Sequence, residues 1–417
     1  MNKFKGMFYF FMIMILAAGC GSKQNNPAPT PAGTAKFIPL SFSNDFFHHA
    51  VALAISDDGK TVAGSCIDEN VNLQPVLWST VDGSVTRLPF MHNIPAPGFS
   101  YNAWVNGISN NGVLVGNQQE IDLNPKSSFY KNGDWNYIID PATTGFATTA
   151  KAVSGNGDTV VGRILDPGGD CSNPPCIGGY FYRISTGEFA IIPSTFTVDK
   201  PDCDALGVDC HIDFYALTGN GLIAAGTDNY FGNSSPEKPW INAWPKGNNA
   251  KALGAGEILL QPVIYNLRGQ GSPVRLPLPD NYLNGEIRGI SKDGSAVAGG
   301  ADDPSKPTIA VWWDSNSSPH IIGSLNGPDT EHHDTMAYAA ANGGTRIVGI
   351  SQGLAFIYEP ATGIQPLQDY LKNRGLGKQL QGWTLTSAYA ITPDGHYIVG
   401  NGKIPGNYQQ GFVAYIP

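Results

Sequence analysis

The chain reads as an all-β protein: a seven-bladed β-propeller of four-stranded antiparallel blades, closed by an N-terminal strand. Three observations lead there. One short pattern recurs seven times. Each copy is followed by a second pair of strand-like runs. The two ends of the chain carry complementary fragments of one unit.

The copies are ALAISDDGKTVAG (52–64), VNGISNNGVLVG (105–116), AKAVSGNGDTVVG (150–162), FYALTGNGLIAAG (214–226), IRGISKDGSAVAG (287–299), AYAAANGGTRIVG (337–349) and AYAITPDGHYIVG (388–400). Each is a strand, a tight turn and a second strand ending in glycine. The turn pairs run from Asp58-Gly59 and Asn111-Gly112 to Asp394-Gly395, with Gly343-Gly344 in the sixth copy. Such pairs tolerate positive φ at both central positions, so a type I′ hairpin turn is expected. Two residues before the Ser or Thr of each first strand stands Ala or Gly: Ala54, Gly107, Ala152, Ala216, Gly289, Ala339 and Ala390. In the sixth copy Ala341 replaces the hydroxyl residue. Side chains alternate along a strand, so one face of every first strand is kept small, as crowding near a central axis would require. The closing glycines, from Gly64 to Gly400, fit a bulge or a close backbone approach.

The second strand pairs include PVLWSTVDGSVTRLPF (75–90), GGYFYRISTGEFAIIP (178–193) and LAFIYEPATGIQPLQ (354–368). Four strands in a unit of about 40–50 residues indicate propeller blades. The seventh unit stops at its third strand, GFVAYIP (411–417), while KFIPLSF (36–42) stands alone before the first hairpin. Joining the two completes the last blade and leaves no exposed edges.

The pattern A-x-x-I-S-x-D/N-G-x-x-V-x-G, followed by an aromatic strand, resembles the extracellular HAF-type repeat family over residues 37–417. GWTLTSAYAITPDGHYIVGNG (382–402) is the stretch most like it. ITPDG and ISDDG are also similar to the PD40 repeats of TolB-like propellers. The HAF resemblance implies a β-propeller lipoprotein and carries no catalytic residues.

Residues 1–19 begin with Lys3 and Lys5 and run apolar from Met7 to Ala18, the pattern of a secretory signal. Leu16 to Cys20 matches a bacterial lipobox, which implies cleavage before Cys20 and a lipid on its sulfur. The membrane is then a partner through Cys20, and the address is the cell envelope, at the outer membrane or cell surface. Residues 20–35 are polar and Pro-rich and read as a flexible tether. Residues 36–417 form a single propeller domain, with an insertion at 227–260 in blade four. Removing 1–19 takes two lysines and leaves 23 Lys plus Arg against 34 Asp plus Glu, a net charge of −11. That argues against nucleic acid. A monomer is expected.

Export permits disulfides. Cys171 with Cys176 and Cys203 with Cys210 would close short loops, leaving Cys66 outside the pairing; four cysteines allow three arrangements. C-x4-C and C-x6-C are poor zinc spacings, and no metal or cofactor is expected.

With strands running up and down, the Asp-Gly turns share one face. The long segments share the other: Cys66–Pro75, Asn117–Lys126, Arg163–Ile177, Ser194–Asp213, Thr227–Leu260, Gly327–Thr335 and Gln368–Trp383. The cysteines fall there, as do His211, His332, His333 and Trp383. Loops on a rigid scaffold carry binding. Trp240 and Trp244 in the blade-four insertion suit sugar stacking or a protein contact, or pin the insertion to the propeller. Catalysis lacks a nucleophile elbow, a His-Glu-x-x-His helix and a phosphate loop. The function expected is non-catalytic binding of a protein or glycan. The alternative is a glycan hydrolase or lyase, whose sign would be two carboxylates, or a Tyr or His with an Arg, converging at the channel mouth.

Overall fold

Each repeat forms a hairpin, and the following pair of runs extends it to four antiparallel strands. The structure, a computed structural model, describes residues 33–42, 49–68, 72–91, 101–120, 125–139, 147–165, 177–192, 194–195, 209–231, 258–268, 271–303, 306–325, 335–406 and 408–417. The signal segment, Cys20, Cys171, Cys176, Cys203, Trp240, Trp244, His332 and His333 lie outside these residues.

Strand β1 is Lys36–Pro39. Unit one is β2 (Ala50–Ile55), β3 (Thr61–Ile67), β4 (Leu73–Ser79) and β5 (Val85–Arg87). Unit two is β6 (Tyr101–Ile108), β7 (Leu114–Glu120), β8 (Lys126–Lys131) and β9 (Asp134–Tyr137). Unit three is β10 (Ala147–Val153), β11 (Thr159–Leu165), β12 (Ile177–Arg183) and β13 (Phe189–Ile192). Unit four is β14 (Asp209–Leu217), β15 (Ile223–Phe231), β16 (Ile258–Asn266) and β17 (Val274–Arg275). Unit five is β18 (Asn284–Ile290), β19 (Ala296–Asp303), β20 (Lys306–Asp314) and β21 (Pro319–Gly323). Unit six is β22 (Thr335–Ala340), β23 (Ile347–Ser351), β24 (Leu354–Glu359) and β25 (Gly363–Pro366). The last sheet has β26 (Thr384–Ile391), β27 (Tyr397–Ile404) and β28 (Tyr408–Tyr415), and its fourth strand is β1. Lys36 pairs with Tyr415 and Pro39 with Phe412, so the leading strand joins the tail as expected. Units one and two are joined into one sheet by a single parallel pairing, Leu73 with Asn102.

The core is divided among the sheets. Consecutive units share buried apolar clusters, as with Val105 and Ile108 of unit two against Ala54 and Ala63 of unit one. Unit seven shares one with unit one as well, where Leu40, Val399 and Val413 meet Ala50, Val62 and Trp78. Cys66 is buried in this cluster; the expected loop at that position is strand β3. The small residues of the first strands have the expected cause: a Cβ on Gly289 would strike the Tyr338 carbonyl of the next unit.

Two expectations are corrected. In six of the seven hairpins the turn is not type I′, since the Asp or Asn of the pair does not lie at positive φ. Gly59 N–H donates to the Ser56 carbonyl at 2.9 Å, and Gly59 has φ of +70°, whereas Asp58 does not lie at positive φ. That fits a type I turn followed by a left-handed glycine. Side chains select it. Ser154 Oγ donates to Asn156 Oδ1 at 2.6 Å and accepts from Thr159 N–H at 2.9 Å. Thr392 Oγ1 donates to Asp394 Oδ1 at 2.5 Å and accepts from Tyr397 N–H at 3.0 Å. Ser/Thr and Asp/Asn are therefore one device. The sixth copy lacks both at once, having Ala341 and Gly343, and there Gly343 and Gly344 both take positive φ. Second, the segment 368–383 is not an irregular loop. It includes helix α1 (Leu367–Leu371) and a helical turn over Lys372–Leu376. Leu367, Tyr370, Leu371 and Leu376 are buried against units six and seven.

No helix among the described residues is long and apolar enough to cross a membrane. Residues Thr34–Ile416 form one compact unit.

Candidate functional site

The seven first strands touch in succession, β2, β6, β10, β14, β18, β22 and β26, and β26 touches β2. Each carries the same irregularity. Ala150 pairs with Gly162 and Ala152 with Val161, so Lys151 is left out of register. The residues left out in the other six are Leu53, Asn106, Tyr215, Arg288, Tyr338 and Tyr389. A bulge of this kind re-aims one side chain and leaves it outside the ladder. All seven are half-buried, between small or apolar neighbours. The closing glycine makes room for the bulge: a Cβ on Gly162 would overlap the Thr149 carbonyl oxygen.

The bulged side chains meet those of neighbouring units. The Arg288 guanidinium lies 4.5 Å from the Tyr215 ring centroid, and Lys151 Nζ lies 5.8 Å from the same centroid. The Tyr338 and Tyr389 rings are 4.9 Å apart. Asn106 Nδ2 donates to the Ala150 carbonyl at 2.7 Å. Behind Tyr215 stands Asp213, which pairs with Arg163 Nε at 3.0 Å and faces His211 Nε2 at 3.6 Å. Tyr215 Oη donates to Asp213 at 3.4 Å. Glu286 pairs with Arg288 on the same strand.

Electrostatics follow from this packing. Burial pushes Tyr215 up to about 12, with the Asp213 charge adding to it, so its hydroxyl is a donor at neutral pH. Burial also lowers Lys151; Asp213 opposes that, while Arg288 and Arg163 reinforce it. For Arg288, burial acts against the charge and is the largest single influence, but Glu286, Tyr215 and Tyr338 together outweigh it and the pKa rises.

At the turn end the residue after each Ser or Thr forms a second set of inter-unit contacts. Gly155 N–H donates to the Gly219 carbonyl and Gly219 N–H to the Lys292 carbonyl, both at 2.8 Å. Asn110 Oδ1 accepts from Asp57 N–H at 2.8 Å. Lys292 of unit five then reaches Asp57 of unit one, Nζ to Oδ1 at 3.1 Å.

Of the residues singled out in the sequence, His211 falls in the Asp213 network and is buried. Trp383 packs edge-on against Phe37 at 5.1 Å, within the core of units six and seven. Cys210 lies in β14. The bulged residues were not foreseen. Their signal is the middle position of the A-x-A-like triplet, which changes from Leu to Asn, Lys, Tyr and Arg while its neighbours stay small or apolar. Among the described residues no three His, Cys, Asp or Glu side chains group as metal ligands would.

No family model matches the chain, and no curated protein matches it. Its solved structural neighbours are TolB-like and other propeller proteins. TolB from Acinetobacter baumannii is 11% identical with a TM-score of 0.43; the alignment covers 86% of this chain and 64% of TolB, so the chain spans under two thirds of that protein. Oligogalacturonate lyase from Vibrio parahaemolyticus is 12% identical with a TM-score of 0.47, covering 92% and 97%. Porphyromonas gingivalis dipeptidyl peptidase 4 is 10% identical with a TM-score of 0.42, covering 87% and 52%.

Proposed function

We propose that this chain is an exported, lipid-anchored cell-envelope protein in which seven blades close a propeller, and that it acts as a non-catalytic module binding a protein or a glycan. Closure is supported by the apolar cluster between unit seven and unit one, which an open row of sheets would lack. One observation carries the binding reading. Seven first strands that touch in succession each carry one bulged residue, and beside Leu53 the set mixes cations, tyrosines and an amide where plain structural need would be met by small residues. Anchoring rests on the lipobox ending at Cys20. By the sequence reading, the insertion holding Trp240 and Trp244 supplies a second candidate binding arm.

A glycan array with pull-down from envelope extract tests the binding reading. Lys151→Met should lose the captured ligand, and retention would contradict the axial site. Deleting residues 230–258 tests the insertion separately. Fractionation of Cys20→Ser should move the protein out of the membrane pellet.

A second reading has an observation of its own. Tyr215 and Arg288 converge at 4.5 Å, as they would in a propeller lyase or hydrolase. Turnover of a polysaccharide by the purified protein would favour it over simple binding.

A further inference from the structure

The bulged side chains carry more information than a generic polar surface. Lys151, Arg163 and Arg288 are three cations, and Asp213 and Glu286 are the two carboxylates among them. Arg163 is paired with Asp213 and Arg288 with Glu286. Lys151 has no ion pair among the described residues; its ammonium rests over Tyr215, whose ring Arg288 also covers. Two cations thus flank one ring; Glu286 answers Arg288, and Asp213 partly offsets Lys151 but is already paired with Arg163. The shielded Arg288 Nε has no hydrogen-bond partner. This cationic spot sits in a protein whose net charge is −9. A single carboxylate placed beside the Tyr215 ring would reach both cations.

The surroundings favour a saccharide as the carrier of that carboxylate. Glu286 and Asp213 are acceptors, suited to sugar hydroxyls and repulsive to a run of acidic side chains. Tyr338 and Tyr389 form a tilted ring pair with centroids 4.9 Å apart, and aromatic rings suit the C–H face of a pyranose. At the turn end, Lys292 pairs with Asp57, and the Asp57 carboxylate lies over Gly155, where an added Cβ would meet it at 2.8 Å.

Resting on the binding reading above, we propose that the bulged residues of the first strands form a binding site for an acidic saccharide, with Lys151 and Arg288 holding its carboxylate and the tyrosines holding its ring.

Isothermal titration of the purified full chain tests this with three probes: a mannuronate tetrasaccharide, its carboxyl-reduced neutral counterpart, and hexaglutamate. The uronate should bind saturably, more weakly with added salt, and the other two at least tenfold more weakly. Lys151→Met, which breaks no ion pair, and Arg288→Lys should each weaken uronate binding tenfold or more with unchanged melting. Equal affinity for the reduced sugar, tighter binding of hexaglutamate, or no uronate binding would overturn the proposal. Capture of a neutral glycan or a protein in those cases would leave the binding reading standing; failure to capture anything would remove both. Cleavage of the tetrasaccharide would support the ligand class and overturn the non-catalytic reading.

Discussion

Phe37 stacks on Phe412, ring centroids 5.5 Å apart and planes 27° from parallel. A residue from the start of the folded chain is thereby core to a strand at its end. Trp383 closes the group edge-on to Phe37. Phe37→Ala should cost about 3–5 kcal/mol, the usual price of emptying a buried phenylalanine site. A urea denaturation midpoint unchanged from wild type would show that β1 adds nothing to the last sheet.

The hydroxyl–carboxyl turn device predicts coupling within a repeat. Ser154→Ala and Asn156→Ala each remove hydrogen bonds worth about 0.5–1.5 kcal/mol. Because each side chain serves the other, the double variant should lose less than the sum. Strict additivity in chemical denaturation would mean the two act independently. The sixth repeat, which omits both, already behaves as a natural double variant.

Much of this architecture was legible in the sequence. Asp-Gly and Asn-Gly turns marked six of the repeats and Gly343-Gly344 the other, and the orphan strand before Ala50 found the partner that the incomplete last unit implied. The closing glycines, read as bulge or close approach, serve both purposes, since the bulge pushes a carbonyl against each. The turn type was misread because the dipeptide alone favours I′, whereas the Ser or Thr two residues earlier ties the Asp or Asn into another geometry. Helix α1 escaped notice because five residues give barely one period of the Leu367, Tyr370, Leu371 pattern. The site was least legible. Lys151, Tyr215 and Arg288 belong to different repeats, and only the meeting of first strands brings them together.

Glu359 should make stability depend on acid pH. Burial alone would raise its pKa, but hydrogen bonds from Tyr370 and Arg346, at 2.8 and 2.9 Å, and the arginine charge hold it below the ordinary 4.5. A carboxyl depressed in the folded state contributes stability that is full above 4.5 and lost as pH falls through the depressed value. Glu359→Gln should flatten the fall in melting temperature below that pH. An unchanged acid limb would assign the loss to other carboxyls.

Closure of the ring is the premise of a single shared site among the first strands, because the contacts between bulged residues themselves join only consecutive units. Sheets stacked about 10 Å apart in a straight row would separate units one and five by roughly 40 Å, yet Lys292 Nζ lies 3.1 Å from Asp57 Oδ1. A double-mutant cycle with Asp57→Asn and Lys292→Met, read by urea denaturation, measures that contact directly. The closed ring predicts a coupling energy of about 1 kcal/mol that shrinks in high salt; additive effects at all salt concentrations would contradict it.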